Sequence, residues 1–358
     1  MEEKKKCPKC ELIPEFPKKP VTIYVHTEID FLMFKLSEVL SRSGIQFKID
    51  GSMMTILNRD FCQFLGLIQE AKFSSAELEE MKISYLEQGE RILSIVTRLR
   101  PLSFYLLKMA YEEYFEILRN NFLKIYFHPI VNFSKKAVIG FECLIRGITK
   151  SGEIVYPDYL FMVARQTDTL FYLDRSCRET AIKTAANKNL KGFKIFINFL
   201  PTVIYDPNFC LRNTVELARQ MEFDFQNIVF EVVESEKVQD LNHLKNILEF
   251  YRNNGFLVAL DDVGTGYSSL DALIKLCPDF IKLSRGLVES LDQDSLKRDL
   301  VEAIVKSIRK NGIRVIAEGV ETSREAWILS ELGVELMQGY FFAKPRPDPV
   351  FEIDYSSW

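Results

Sequence analysis

The sequence predicts an α/β protein: a (β/α)8, TIM-like barrel preceded by a small α+β domain. Two observations predict it. From Lys124 onward, eight short apolar runs of strand type alternate with amphipathic stretches of helix length. Nearly every run then ends in a polar side chain, as the C-terminal, active-site face of such a barrel requires. A chain of 358 residues has room for two domains, expected at residues 1–112 and 113–358.

The N-terminal part reads as follows. Residues 1 to about 20 are rich in Lys and Pro. Residues 21–25 form a strand, and residues 29–41 carry apolar side chains at helical spacing, ended by Ser43-Gly44. Residues 45–57 alternate around Gly51-Ser52, a hairpin pattern. Ser74-x-x-Glu77 is a capping-box signature, opening a helix expected to run to about Arg98. Pro101 interrupts, and a second helix is expected over residues 102–120. With no glycine-rich phosphate loop, this part is expected to be a sensory or dimer-forming unit, and the protein a homodimer.

The barrel runs are residues 125–127, 138–141, 193–199, 228–230, 257–260, 280–283, 315–317 and 336–342. Continuous apolar runs of this length fit strands buried on both faces of a parallel sheet covered by helices. Their polar ends are Glu142, Asn198, Glu231, the pair Asp261-Asp262, Lys282, Glu318 and Gln338. One such carboxylate alone reads as a solvated cap; the repeated set does not.

Composition narrows the function. A net charge of -4, from 46 basic and 50 acidic residues, argues against a partner that is a nucleic-acid polymer. No apolar run is long enough to span a membrane. The charged MEEKKKC start lacks the apolar core of a signal peptide, so a cytoplasmic location is expected. Seven scattered cysteines read as reduced thiols. Cys7 and Cys10 resemble half of a zinc knuckle without a second pair. His26 and Cys62 are the nearest candidate ligands, and a reduced pair is expected over zinc.

Carboxylates converging on one mouth repel. Two unit charges about 4 Å apart cost about 4 kcal/mol at an effective dielectric near 20. Such a cluster takes up protons or holds cations. Oxygen ligands without histidine suit hard divalent ions such as Mg²⁺ or Mn²⁺. Adjacent Asp261-Asp262 can feed two ions, a recurrent device for in-line phosphoryl displacement. Residue chemistry alone reaches an acidic two-metal barrel site suited to a phosphate ester.

Over roughly two thirds of the chain, residues 121–347, the segments resemble the EAL family of cyclic-di-GMP phosphodiesterases. The signature tripeptide stands as Glu142-Cys143-Leu144, followed by Ile145-Arg146. The most specific stretch runs from Asp261-Asp262-Val263-Gly264 through Leu270, close to DDFGTGYSSL. Ile316 through Thr322 matches AEGVET, and Gln338-Gly339-Tyr340 through Lys344-Pro345 matches QGY…KP. The resemblance implies one metal on Glu142, Asn198, Glu231 and Asp261. It implies a second on Asp261 and Asp262, with Glu318 and Gln338 contributing directly or through water. It further implies that Lys282 orients the attacking water with Glu318, and that Glu234 braces the loop after Asp262. Arg146, Glu321 and Gln338 would meet the substrate. The implied reaction opens cyclic di-GMP to linear pGpG.

The chain departs from the family pattern at Leu200, where a hydroxyl is missing, and at His128, which replaces a glutamine. It also departs at Ser284, which replaces an aspartate, and at Arg165, where a glutamate is common. None removes a metal ligand. Two other readings stay open: a receptor that binds the dinucleotide with little turnover, and a regulator whose barrel surface binds a partner protein. Cys143, with no nearby histidine in sequence, reads as packing.

Overall fold

The computed structural model describes residues 7, 10–232, 240–264, 273 and 275–354. The chain forms two compact units: Met1–Asn120 with Asp158–Leu170, and Asn121–Pro157 with Phe171–Trp358. Among the described residues, no helix is long and apolar enough to cross a membrane.

The first unit is built on a five-stranded sheet. Its strands are β1 (Val21–His26), β2 (Lys48–Asp50), β3 (Met53–Arg59), β4 (Lys82–Leu86) and β5 (Arg100–Pro101). Their order is β2-β3-β1-β4-β5, and every pairing is antiparallel. Val21, Ile23 and Val25 face the core in strict alternation. Helices Asp30–Arg42 and Phe61–Glu70 cover that face with Leu32, Leu36, Leu40, Phe61, Phe64, Leu65 and Ile68. The expected strand, helix and hairpin are all present.

Two expectations for this unit are corrected. Ser74 and Glu77 do form a capping box, but the helix they open ends at Glu80, and Lys82–Leu86 is a strand. Ile83 and Tyr85 pair with Val25 and Ile23 of β1, and Ile83, Ser84 and Tyr85 are all buried, so pairing and burial in the sheet override helix propensity. The single helix expected over residues 102–120 is two, Leu102–Ala110 and Glu112–Arg119, broken at Tyr111. The break separates Leu102 and Tyr105, which join the sheet's core, from Tyr114, Phe115, Ile117 and Leu118, buried outside it.

The second unit holds a closed barrel. Its strands are β6 (Leu123–Asn132), β7 (Ala137–Ile148), β9 (Lys194–Phe199), β10 (Ile228–Val232), β11 (Leu257–Val263), β12 (Phe280–Leu283), β13 (Arg314–Ala317) and β14 (Leu336–Met337). A short β8 (Ile154–Val155) extends the edge at β7. The order β6-β14-β13-β12-β11-β10-β9-β7 closes through β6–β7 pairing. All eight expected runs are barrel strands, which bears out the TIM-like fold.

The barrel differs from an all-parallel one in a single strand. β6 runs antiparallel to both β7 and β14. Only residues 133–136 join β6 to β7, too few for the crossover a parallel pair needs. β14 is also shorter than its apolar run. Gly339 backs onto Val320, where a Cβ would lie 2.0 Å from the Val320 carbonyl oxygen, and the chain turns there.

Inside the barrel, Ile130, Phe196, Val229, Ala259, Phe280, Ile316 and Leu336 form one buried layer. Side chains of a strand share a face at every second residue. So Asn198, Glu231, Asp261, Lys282, Glu318 and Gln338, each two residues further on, stand directly above that layer. On reversed β6, His128 stands above Ile130 by the same rule. The apolar layer is the floor on which the polar one rests.

Gly140 lies two residues before Glu142 on β7, where a Cβ would sit 2.3 Å from the Lys194 carbonyl oxygen of β9. Gly140→Ala is therefore expected to pry apart the strands that carry Glu142 and Asn198. Overpacking of this kind costs about 1–3 kcal/mol. The expected result is a lower melting temperature, and unchanged melting would show that β7 and β9 separate freely.

Candidate active site

Lys282 is the centre of the polar layer and is fully buried. Its ammonium lies 2.6 Å from Glu318 Oε1, 3.3 Å from Glu231 Oε1, 3.3 Å from Asp261 Oδ1 and 3.5 Å from Glu142 Oε1. Four different strands or strand ends thus present carboxylates to one lysine on a fifth. One ammonium cannot balance four carboxylates, so the group has an affinity for further positive charge.

The carboxyls respond unequally. Burial raises Glu231 well above the ordinary range, despite Lys282. Burial also raises Asp261, and pushes Glu318 up to about 8. Glu142 moves the other way. Burial alone would raise it, but Lys282, His128, and hydrogen bonds from Gln338 and Asn198 hold it below the usual value. Burial would lower Lys282, yet Asp261, Glu142, Glu231 and Glu318 together hold it well above its usual value.

Glu142 is fixed by two amides. Asn198 Nδ2 donates to its Oε1 at 3.1 Å, and Gln338 Nε2 donates to its Oε2 at 2.8 Å. Both amides therefore turn their donors to Glu142 and leave oxygens for other partners. The buried Oε1 of Gln338 has no hydrogen-bond partner. Nor does Oε1 of Glu231, which touches Lys282 outside hydrogen-bond geometry.

The adjacent aspartates are brought together by a break in β11. Successive residues of a regular strand point to opposite faces. The pairing of β11 with β12 shifts register between Leu260 and Val263, and Asp262 adopts φ 54. This bulge turns both carboxylates toward Glu318. Ligand oxygens of Asp261, Asp262 and Glu318 all lie within 4.8 Å of one another. Among the described residues this is the one such acidic, cysteine or histidine group suited to an ion, and Cys7 and Cys10 belong to none.

The donor set fits hard divalent cations. It is all oxygen, it carries surplus negative charge, and it keeps two buried acceptors without hydrogen bonds. His128 stands opposite Glu142 across the β6–β7 pair, and burial lowers it to about 4, so it is neutral. Burial pushes the Cys143 thiol well up, which removes it as a nucleophile.

Other expected site residues stand apart from this cluster. Arg146 lies four residues beyond Glu142 on β7, on the same strand face but roughly 13 Å further along. Glu321 is half exposed and pairs with Arg285 Nη2 at 2.9 Å. Glu234 lies outside the described residues, as do residues 265–272 of the longest motif. The two amide contacts on Glu142 are what the motifs did not supply. His128, a departure from the family's glutamine, is placed beside Glu142 by the inward spacing along β6.

A closed eight-stranded barrel with an acidic, lysine-centred mouth defines the class of protein. The chain belongs to the EAL domain family, whose model matches residues 112–345. Among curated relatives, Probable cyclic di-GMP phosphodiesterase PdeG of Escherichia coli (strain K12) is 32% identical over 254 residues, 68% of this chain and 49% of that protein. The chain spans about half the length, or less, of the first curated relatives it matches. The c-di-GMP-bound standalone versatile EAL protein from Vibrio cholerae O395 is 37% identical with a TM-score of 0.59. That match covers 65% of this chain and 96% of that one. A calcium/cy-diGMP complex of Klebsiella pneumoniae BlrP1, 20% identical, covers 94% of this chain and 98% of that one at a TM-score of 0.60, a likeness of fold.

Proposed function

We propose that this chain hydrolyses one phosphodiester bond of cyclic di-GMP to give linear pGpG. The observation that carries the reading is Lys282, buried among Glu142, Glu231, Asp261 and Glu318 with positive charge still lacking. A phosphodiester with divalent cations suits that vacancy of charge. Family membership and a relative named as a probable cyclic di-GMP phosphodiesterase support the substrate.

Glu142, Asn198, Glu231, Asp261 and Asp262 would hold Mg²⁺ or Mn²⁺, two per site, with Asp261 shared. Bound there, such cations supply Lewis acidity toward a phosphoryl oxygen and make water more acidic. Lys282 orients the attacking water and offsets negative charge that develops on the phosphoryl oxygens. Glu318, 2.6 Å from that ammonium and pushed up to about 8, exchanges a proton with the water near neutral pH, while Lys282 stays charged. Gln338 and Asn198 keep Glu142 in one orientation. Arg146 grips a phosphate, and Glu321 meets the substrate at the rim. Glu234 braces the loop after Asp262. One water is consumed, one P–O ester bond breaks, and a phosphate monoester and a hydroxyl are left.

The N-terminal part is the regulatory domain in this reading, with domains at residues 1–112 and 113–358. Chain continuity supports coupling between the two parts, although the compact units place residues 113–120 and Asp158–Leu170 with the first. β7 carries Glu142 and Arg146, and the chain beyond it enters the segment Asp158–Leu170 of the first unit. There Thr169 bonds Tyr114 at 2.7 Å and Gln166 accepts from Tyr111 at 2.9 Å. A receptor with little turnover is not favoured, because every proposed metal-ligand type is present.

Incubation with cyclic di-GMP and Mn²⁺ or Mg²⁺, read by chromatography, tests the proposal. Linear pGpG is the expected product, and EDTA abolishes it. Ca²⁺ inhibits, since its longer bonds and higher coordination number spoil a compact two-metal arrangement. Undiminished hydrolysis in metal-free buffer would overturn the metal assignment. Intact substrate under every metal would overturn the activity.

A further inference from the structure

Arg146 differs from the other charged groups of the barrel mouth. Among the described residues it forms no ion pair with the acidic cluster, although it shares a strand face with Glu142. Its guanidinium carbon instead lies over two aromatic rings, 5.4 Å from the Tyr126 centroid and 5.2 Å from that of Tyr156. Its Nη1 donates to the Ile145 carbonyl oxygen at 2.7 Å. Tyr126 comes from β6 and Tyr156 from the residue after β8, so three segments meet at one side chain. Tyr156 is 59% exposed, which means it is not held there by burial.

The geometry points to Tyr126 and Tyr156 as positioning residues that hold the Arg146 guanidinium ready for a substrate phosphate. The inference rests on the phosphodiesterase reading above. A cation over a ring uses its flat face, whereas phosphate recognition uses N–H groups in the guanidinium plane. The Nε and Nη2 donors therefore stay available. A free arginine loses much rotamer freedom when it binds, and one already held by two rings and a carbonyl loses less. Tyrosine at these positions thus favours binding without touching the ligand.

The test is a double-mutant cycle in the full-length protein with Mn²⁺, reading KM and kcat for cyclic di-GMP. Tyr156→Ala is expected to raise KM about three- to fivefold, the size of an exposed cation–π contact, and to leave kcat unchanged. Tyr156→Phe keeps the ring and should behave as the parent. Arg146→Ala raises KM more, and adding Tyr156→Ala to it should bring no further change. Melting temperatures of the parent and the two single Tyr156 variants should agree, because Tyr156 is exposed. A full Tyr156 effect that persists without Arg146 would mean the ring contacts the nucleotide directly, and would overturn the clamp. No effect of Tyr156→Ala would overturn it as well. A parent protein that neither binds nor hydrolyses the dinucleotide removes the underlying reading and the clamp with it, whereas an additive cycle in an active parent removes the clamp alone.

Discussion

Lys282→Met is expected to abolish hydrolysis and to lower the melting temperature sharply in metal-free buffer. The side chain is fully buried, and its ammonium lies within 3.5 Å of four carboxylates. Methionine fills similar volume, so the loss is of charge and not of packing. Removing one partner of a buried charged group costs about 3–5 kcal/mol. Protonation of the carboxyls offsets part of that cost. The sign follows from Glu318, already raised by burial to about 8 against an ordinary 4.5. A carboxyl raised in the fold favours folding while it is protonated, and that contribution disappears as pH rises through its folded value. Without the lysine, burial and repulsion raise it further. The gap in melting temperature between variant and parent should therefore narrow at acidic pH and widen at alkaline pH. Added Mn²⁺ should stabilise the variant more than the parent, because a divalent cation can take the lysine's place among the acids. A variant that melts like the parent at every pH would sink the view of Lys282 as the charge centre of the site.

The barrel was legible because its code is local. Each strand's apolar run and its polar end lie within a few residues of one another, as in 280–283 with Lys282, and the layer two residues below repeats the pattern. The direction of β6 was not legible from apolar runs, since a buried strand reads the same either way. Only the short connection over residues 133–136 shows that it reverses. In the first unit, local and tertiary signals conflict. Ser74 and Glu77 are a true capping box, and nothing in that signature tells how long the helix lasts. β1 decides it, by offering Ile23 and Val25 to Tyr85 and Ile83.

Site chemistry divides in the same way. That Asp261 and Asp262 are both carboxylates is sequence; that both face Glu318 depends on the bulge and on φ 54 at Asp262. A strand without the bulge would have sent one of them to the opposite face. Arg146 could be singled out as a cation near the acids, but its partners come from Tyr126, twenty residues earlier, and Tyr156, ten later. No spacing rule links those three positions, because the strand pairing of β6 with β7 and the turn after β8 create the contact.

Glu142→Gln is expected to separate binding from hydrolysis. The glutamate's two oxygens each accept from an amide, Asn198 at Oε1 and Gln338 at Oε2. Glutamine has one oxygen and one NH₂ at those places. Its NH₂ must meet a donor, so either Asn198 or Gln338 has to turn over and present oxygen instead. If Asn198 turns, its oxygen is drawn away from the proposed cation. If Gln338 turns, its buried oxygen is used up on residue 142. Either route disturbs the oxygen set, and one negative charge disappears 3.5 Å from Lys282. Cation affinity and the acidity of water both fall, so kcat should drop by about 100-fold or more. Affinity for cyclic di-GMP should change by less than about tenfold, because Arg146, the group proposed to make the charge-assisted phosphate contact, is untouched, as are the tyrosines proposed to hold it. Calorimetry in Ca²⁺ reads the affinity, and chromatography in Mn²⁺ reads turnover. Turnover at the parental rate would sink the assignment of Glu142 as a metal ligand. Equal losses of affinity and rate would mean that the signature glutamate shapes the pocket as a whole.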